Sequence, residues 1–162
     1  LTQKPAVTIL NIDEQDLGRE PAFRDPQAYA TFAIAAPLEA DLLQMDPADR
    51  PTFMAEYGIR ALARDRIIRA CFEALGMICF LTCTGTDEVR AWPIPKGTTA
   101  IEAAGKVHTD MARGFIRAET IAFDDLRAAG SLREAKAAGK IRQEPKGYVV
   151  QDGDVITIKF NV

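Results

Sequence analysis

The sequence predicts an α/β unit followed by an α+β unit within 162 residues. Two apolar stretches of strand length, Ala6 to Ile12 and Thr31 to Ala36, are separated by a polar connection, as expected for parallel strands joined by a crossover. From Met77 onward the pattern changes to shorter stretches separated by turn residues, which is typical of a sheet built from hairpins. The hydrophobic fraction of 48% is ordinary for a globular protein, and a chain of this length can bury a core without disulfides.

Helices are predicted after the second strand. The segment from Leu38 to Met45 places its apolar residues on one helical face. Asp46-Pro47 indicates an N-cap followed by proline at the first position of a further helix. The segment from Arg64 to Leu75 carries an apolar stripe, and Gly76 is typical of a helix C terminus.

The second half contains two strand candidates, "MICFLTC" and "EVRAWPI", around the turn residues Thr84 to Asp87. A short helix is predicted from Gly97-Thr98 through "TTAIEAAGKV", and "GFIRAETIAF" is predicted to be a strand. Residues 123–140 are expected to be helical with breaks at Gly130 and Gly139. The Asp-Gly pair in "QDGD" predicts a terminal hairpin between "YVV" and "VITIKFNV". Together these elements predict a β-grasp-like α+β domain.

Charge and cysteine content exclude several classes of protein. The net charge of −3 and the pI of about 5.2 give no overall attraction to nucleic acid or to membrane surfaces. The three cysteines, Cys71, Cys79 and Cys83, do not have the spacing of a disulfide framework or a zinc site, so reduced thiols are expected. No apolar stretch approaches the ~18 residues of a membrane span, and no signal peptide is visible. The sequence therefore predicts a cytoplasmic protein without membrane contact.

The stretch "VTILNIDEQD" ends an apolar strand in Asn11-x-x-Glu14. Ligands of open α/β sheets bind beyond the carboxyl ends of the strands. An Asn side chain donates and accepts hydrogen bonds in one plane, which suits a purine edge, and a carboxylate accepts from a ring N–H or an exocyclic amine. The alternative is structural, with Asn11 or Asp13 capping the next helix and Glu14 in its first turn. The spacing alone leaves both interpretations open and favours the structural one.

Several segments resemble the YchF or Obg-like ATPase family of P-loop NTPases. "KPAVTILNIDE" is similar to the base-recognition strand, in which Asn-x-x-Glu replaces the usual Asn-Lys-x-Asp guanine motif. "AAPLEADL" resembles the next nucleotide loop, and "RDRIIRACFEALGMICFLT" resembles the helix and strand that leave the GTPase-like domain. The family's C-terminal TGS domain is resembled by "EVRAWPIPKGTTAIEAAGKVHTDMARGFIRAETIAFDDL" and "GKIRQEPKGYVVQDGDVITIKFNV". The resemblance extends over essentially the whole chain.

This resemblance implies a domain organisation and a nucleotide site. Residues 1–77 would be the C-terminal part of a Ras-like P-loop nucleotide-binding domain, and residues 78–162 a TGS domain with a ubiquitin-like β-grasp fold. The full-length parent would bind and hydrolyse ATP, or GTP, with Mg²⁺ and would act with the ribosome or RNA. Five residues would contact the base, the last three through their backbones: Asn11, Glu14, Ala35, Ala36 and Leu38.

The sequence departs from the family pattern at two points. No GxxxxGK[ST] loop occurs in it, and phosphoryl transfer needs that loop to hold the phosphates and Mg²⁺. We therefore expect the chain to be part of a longer protein, to require no cofactor by itself and to show no ATPase activity. Pro37 replaces the basic residue that is usual beside the base, and its nitrogen has no hydrogen to donate. The choice between ATP and GTP is therefore open.

Basic residues of the second half are candidates for contact with RNA or the ribosome, as the resemblance to TGS domains implies. The alternative is a solvated surface balanced by acids. A histidine can also act as a general base, but no nucleophile is evident near His108, and Thr109 or Asp110 is expected to cap a turn. The acidic pair Asp124-Asp125 favours a helix N terminus over a metal site. The candidate contacts are His108, Arg113, Arg117, Lys140 and Arg142.

A second class of function is a stand-alone TGS module that binds RNA or a protein without hydrolysis. The intact mass of the native protein, or the reading frame upstream of Leu1, would distinguish it from a longer ATPase. The oligomeric state is open, although a sheet edge left free in the first unit could pair with another copy.

Overall fold

The computed structural model describes residues 4–19, 23–84 and 88–161. The chain forms two compact units, Leu1–Leu75 and Gly76–Val162. The predicted division, after residue 77, lies later than the observed one, because Met77 is already the first residue of a strand in the second unit. Among the described residues, no helix is both long enough and apolar enough to cross a bilayer.

The first unit is built on two parallel strands, β1 (Val7–Asn11) and β2 (Ala30–Ile34), as predicted. Val7 lies opposite Ala30, and Asn11 lies opposite Ile34. A single 3₁₀ turn, Glu14–Asp16, follows β1. Within the described residues β1 pairs only with β2, so its other edge carries no strand.

Three helices follow: α1 (Ala36–Gln44), α2 (Arg50–Glu56) and α3 (Ala63–Ala74). The prediction that a helix begins at Asp46-Pro47 was wrong. The Asp46 carboxylate accepts a hydrogen bond from the Ala48 N–H (2.8 Å) and forms a turn, so that α2 starts only at Arg50. The Arg50 Nε then donates to the carbonyl of Leu42 (2.8 Å). This bond gives a partner to one of the carbonyls in the last turn of α1, which have none within the helix.

The side chain of Glu39 joins α1 to α3. Both of its carboxylate oxygens accept from the N–H of Ala63, at 2.8 and 2.9 Å, where α3 begins. The core of this unit includes Leu42 and Ala70, which are 1% and 6% exposed. Gly76 follows α3 with a φ of +63°, a conformation that favours glycine and ends the helix as predicted.

The second unit contains a five-stranded mixed sheet with the order β4-β3-β7-β5-β6. Its last strand lies in the middle of the sheet, parallel to β3 and antiparallel to β5. The remaining pairs, β3 with β4 and β5 with β6, are antiparallel. The strands are β3 (Met77–Thr84), β4 (Glu88–Pro95), β5 (Phe115–Ala122), β6 (Arg142–Glu144) and β7 (Asp154–Phe160).

The predicted terminal hairpin is wrong. The residues of "YVV" form no strand, and Val149 makes only an isolated bridge with Thr99. The chain before β7 is bound instead at the start of a helix, where the Ala100 N–H donates to the Tyr148 carbonyl (2.8 Å). The turn at Asp-Gly does exist, but the strand that follows it pairs with β5 and β3 rather than with the preceding residues.

Helices cover parts of both faces of the sheet. One core contains Phe80, Ala103 and Ile156 and lies under α4 (Ala100–Val107). The other contains Ile121, Ala135 and Val155, with Ala135 contributed by α7. The predicted break at Gly130, where φ is +84°, separates α6 from α7. The other helices are α5 (Thr109–Arg113), α6 (Phe123–Ala129) and α7 (Leu132–Ala137).

Candidate functional site

The parallel pairing of β1 and β2 brings distant residues together at one sheet edge. The Asn11 Oδ1 accepts a hydrogen bond from the backbone N–H of Ala36 at 3.2 Å. Parallel strands end at the same edge, so Asn11 at the end of β1 lies beside the start of α1, 25 positions later in the chain. Asn11 therefore caps α1, and not the turn that directly follows it as the structural alternative supposed.

Glu14 begins the 3₁₀ turn after β1 and is exposed. Among the described residues its carboxylate has no hydrogen-bond or ion-pair partner, whereas its backbone carbonyl accepts from the Leu17 N–H (3.2 Å). Asp13, the residue before the turn, makes no capping hydrogen bond with its side chain. Glu14 is thus an acceptor that the described residues leave available to a ligand.

The three residues predicted to line the opposite side of the base are in different environments. Ala35 is only 2% exposed, and its carbonyl accepts from the Glu39 N–H (3.0 Å). The N–H of Ala36 is already bound by Asn11. Leu38 is half-buried in the first turn of α1, where N–H groups lack acceptors within the helix. At the start of α1 the Ala36 N–H is occupied and Pro37 has no N–H. The next N–H along the helix, that of Leu38, is therefore the donor best suited to a ligand.

The edge combines groups of complementary hydrogen-bonding type. The Asn11 amide nitrogen is a donor, the Glu14 carboxylate is an acceptor, and the N terminus of α1 carries partial positive charge. Such an edge can bind and orient a planar heterocycle. It contains no nucleophile, and no cluster of three metal-ligating side chains occurs in the described parts of the chain.

A cavity of about 540 Å³ in the first unit was not predicted from the sequence. It is lined by Ile12, Phe32 and Arg66 among others, but not by Asn11 or Glu14. The Arg66 guanidinium lies over the Phe32 ring at 5.3 Å, a cation–π contact. No sequence signal indicates Arg66, because one arginine on an exposed helix face is indistinguishable from its neighbours.

His108 has a structural role in the second unit. Its Nδ1 accepts from the Asp110 N–H (3.2 Å), so His108 itself is the N-cap of α5, in place of the predicted Thr109 or Asp110. The Asp110 carboxylate also pairs with Arg113 at 2.9 Å. The expected candidates His108 and Arg113 therefore lie together around one carboxylate, and both are exposed.

The other predicted contacts are each paired with an acid. Arg117 lies 3.9 Å from Glu119, and Lys140 lies 3.1 Å from Asp125. The Asp124-Asp125 pair is thus explained by ion pairs and by its place in the first turn of α6. Arg142 pairs with Glu144 at 2.9 Å.

Arg142 also belongs to a partly buried network around Asp154. The Asp154 side chain is only 3% exposed, and its Oδ2 accepts from the Tyr148 hydroxyl (2.7 Å) and from the Gln151 N–H (2.9 Å). An Arg142 guanidinium nitrogen donates to the Tyr148 hydroxyl oxygen at 3.0 Å. Burial, the hydrogen bond to Asp154 and the charge of that carboxylate raise the pKa of Tyr148 to about 12. This network stabilises the loop that precedes β7.

Comparison with known proteins identifies relatives that match the whole chain and a family model that matches its second unit. Residues 77–161, more than half of the chain, match the family model YchF-GTPase_C, described as "Protein of unknown function (DUF933)". The "Ribosome-binding ATPase YchF" of Bacillus subtilis strain 168 is 40% identical over 172 residues, which cover 100% of this chain and 46% of that protein. The "Obg-like ATPase 1" of Oryza sativa subsp. japonica is 42% identical over 171 residues, covering 100% of this chain and 43% of the relative.

Solved structures agree with this relationship. The Schizosaccharomyces pombe YchF GTPase superposes with a TM-score of 0.82 at 28% identity, covering 98% of this chain and 44% of that one. A GTP-binding protein from Pyrococcus horikoshii OT3, at 20% identity and a TM-score of 0.53 over 82% of this chain and 38% of its own, shares the fold. The chain spans about half the length of the curated relatives that it matches. The chain belongs to the YchF family, whose members include the Obg-like ATPases.

Proposed function

We propose that this chain provides the base-recognition edge of an ATP-binding site, together with a TGS-type β-grasp domain, in a protein that hydrolyses ATP and acts at the ribosome. The observation that carries the proposal is the 3.2 Å hydrogen bond from the Ala36 N–H to Asn11 Oδ1, three positions before Glu14, whose carboxylate has no partner among the described residues. The names of the relatives, which describe ribosome-binding and Obg-like ATPases, support the same assignment.

The chemistry of the edge favours adenine over guanine. Adenine has an exocyclic amine that donates, whereas guanine carries a carbonyl oxygen at the corresponding position. The Glu14 carboxylate accepts from the amine but repels a carbonyl oxygen. A carboxylate can also accept from the ring N–H and the exocyclic amine of guanine, which lie beside its carbonyl oxygen on the same edge, so GTP remains the second candidate nucleotide.

Hydrolysis requires parts that these 162 residues do not contain, since no P-loop sequence is present. In a longer protein that loop would hold the phosphates and Mg²⁺, while this chain would position the base. We therefore expect the chain by itself to bind nucleotide weakly and to hydrolyse none.

The test is a titration of the chain with ATP, and separately with GTP, in which ¹H–¹⁵N NMR spectra are recorded at each nucleotide concentration. ATP is expected to shift the amide signals of Asn11, Glu14 and Leu38 and to shift them more than GTP does. Glu14→Ala should abolish this preference, whereas the neighbouring Gln15→Ala should preserve it. Equal shifts with both nucleotides, or tight binding and hydrolysis by the unmodified chain, would contradict the proposal.

The topology of the second unit supports the β-grasp part of the proposal. A mixed sheet whose last strand lies centrally, parallel to the first and antiparallel to the third, with a helix packed on one face, is the arrangement of ubiquitin-like folds. Five of its exposed basic residues would contact ribosomal RNA. They are His108, Arg113, Arg117, Lys140 and Arg142.

Co-sedimentation with ribosomes at increasing salt tests this contact. Arg113→Glu combined with Arg117→Glu should lower the bound fraction and flatten its salt dependence, since fewer phosphates are neutralised. Arg127→Glu combined with Lys106→Glu changes the net charge equally and should leave binding unchanged. Equal loss in both pairs would show that only the overall charge matters.

The alternative function is a TGS module that binds RNA or protein without any hydrolysis. The second unit supports this alternative, because its sheet and its two cores lie entirely within residues 76–162. An intact-mass measurement of the native protein decides between the two, because only a longer chain can include a P-loop.

A further inference from the structure

We propose that the groove between α7 and the sheet of the second unit binds an acidic, aliphatic segment of a partner protein. This site is separate from the nucleotide edge. The groove has a volume of about 360 Å³, at the lower end of the ~300–1,000 Å³ usual for ligand pockets. It therefore has room for a few side chains of an extended or single-turn segment.

The floor of the groove is aliphatic. Ile121 and Val155 are contributed by neighbouring strands, and Ile141 follows α7. Leu132 borders the groove from α7 and remains 38% exposed, although a large apolar side chain gains by burial. Ile121 and Val155 are already buried, so a partner with aliphatic side chains would mainly bury the surface of Leu132 that remains exposed.

The rim is positively charged and only partly neutralised. Arg133 and Lys136 are three positions apart on α7, so they project from the same side of the helix. Neither forms an ion pair within the described parts of the chain, and both are exposed. Glu119, the acid in the groove, is already bound by Lys159 at 3.4 Å and approached by Arg117 at 3.9 Å. The cations of α7 are therefore available for acids of a partner.

A protein segment fits this surface better than RNA does. Single-stranded RNA is usually held by aromatic side chains on which bases stack, and none of the residues that line the groove is aromatic. Aliphatic side chains flanked by carboxylates match both the floor and the rim.

The probe for the test is a short fluorescein-labelled peptide of alternating leucine and glutamate, titrated into the full chain at physiological salt. Saturable binding is expected, with amide shifts confined to α7, β5 and β7 in NMR spectra. A peptide with lysine in place of glutamate, an oligoglutamate peptide and oligouridine RNA of equal length should each bind more weakly. Tighter binding of the RNA in the same groove would overturn the proposal in favour of a nucleic-acid site.

Variants separate the groove from general electrostatics. Arg133→Glu combined with Lys136→Glu should weaken peptide binding about tenfold, because two attractions become repulsions. Leu132→Ser should weaken it about fivefold through lost apolar contact. The control pair Lys106→Glu with Lys146→Glu alters the net charge equally at exposed lysines outside the groove, and should change Kd by less than about twofold.

Circular dichroism of each variant establishes that it is folded before binding is compared. If the control pair weakens binding as much as the α7 pair, or if the unmodified chain shows no saturable binding, the groove is not a peptide site. Neither result bears on the nucleotide titration, which tests the other unit.

Discussion

Asp154 shows how a single buried carboxylate can determine the path of a loop. It accepts hydrogen bonds from Tyr148 and Gln151 and lies 3.5 Å from Arg142. A buried charge is tolerated only when it is paired in this way. These bonds fix the residues before β7 as a loop at the start of that strand, and the backbone of the loop binds Thr98 and Ala100 rather than β7, so no hairpin forms there.

Tyr148→Phe is expected to destabilise the second unit by about 1–2 kcal/mol, because it removes one hydrogen bond to a buried carboxylate. The pKa of Tyr148 is raised from 10.0 to about 12, so between these pH values the unfolded state loses its proton first. The stability contributed by this group is therefore complete below pH 10 and is lost as pH rises towards 12. Urea unfolding at pH 8 and at pH 11 measures both effects.

The variant also provides the control for the pH effect. Its free energy of unfolding should fall less between these two pH values than that of the unmodified protein. In absorbance titrations at 295 nm, the tyrosinate signal with a midpoint near pH 12 should be missing from the variant. An unchanged signal would show that Tyr148 does not have the raised pKa.

Thr120 contains a buried hydroxyl without a hydrogen-bond partner among the described residues, and its side chain is fully buried. Thr120→Val keeps the shape and replaces the hydroxyl by a methyl group. We expect it to be neutral or to stabilise the protein by up to about 1 kcal/mol in urea unfolding. A loss of stability would mean that the hydroxyl has a partner, such as a bound water.

At the scale of secondary structure, helix ends are satisfied by side chains from other elements. Asn11 of β1 caps α1, Arg50 of α2 binds the last carbonyls of α1, and Glu39 of α1 caps α3. None of these contacts follows the local capping patterns that can be recognised in a sequence. The capping box between Thr99 and Glu102 in α4 is of the local kind.

Glu39→Ala should cost about 1–2 kcal/mol, since it leaves the buried N–H of Ala63 without an acceptor. Asp41→Ala is the matched control, because Asp41 is an exposed acid of the same helix whose side chain has no partner among the described residues. Thermal unfolding followed by circular dichroism compares the two. Equal effects would show that the charge matters rather than the cap.

Gly114 joins α5 to β5 in close contact with the C-terminal residues. A Cβ at this position would lie 2.0 Å from the carbonyl oxygen of Asn161, whose N–H donates to the Gly114 carbonyl at 2.9 Å. Gly114→Ala should therefore cost about 1–3 kcal/mol through overpacking. Gly147→Ala meets no atom within 4 Å and should change stability by less than about 0.5 kcal/mol.

At the scale of the whole molecule, the second unit has a complete sheet and cores of its own. We expect residues 76–162 expressed alone to give dispersed ¹H–¹⁵N spectra and a single cooperative unfolding transition. Gly114→Ala should lower the stability of this isolated unit by the same amount as in the full chain. Collapsed spectra of the isolated unit would contradict this expectation.

The sequence by itself determined most of the elements and the family, but not α5, β6 or the pairing of the last strand. Apolar periodicity predicts β1, β2 and most of the helices, and the segments from Lys4 to the C terminus are sufficient for the family assignment. The residues of the base edge, Asn11 and Glu14, could also be selected from the sequence, because they follow a strand that is recognisable by its own pattern. Their role as a base edge stays a prediction.

Only the tertiary structure decided which elements are neighbours. The central place of β7, the binding of Asn11 to Ala36 and the groove beside α7 each depend on contacts between residues far apart in the chain. Periodicity and turn residues act over a few positions, so they indicate that a strand forms but not which strand it pairs with. That choice follows from burying both faces of the sheet at once, which is a property of the packed chain as a whole.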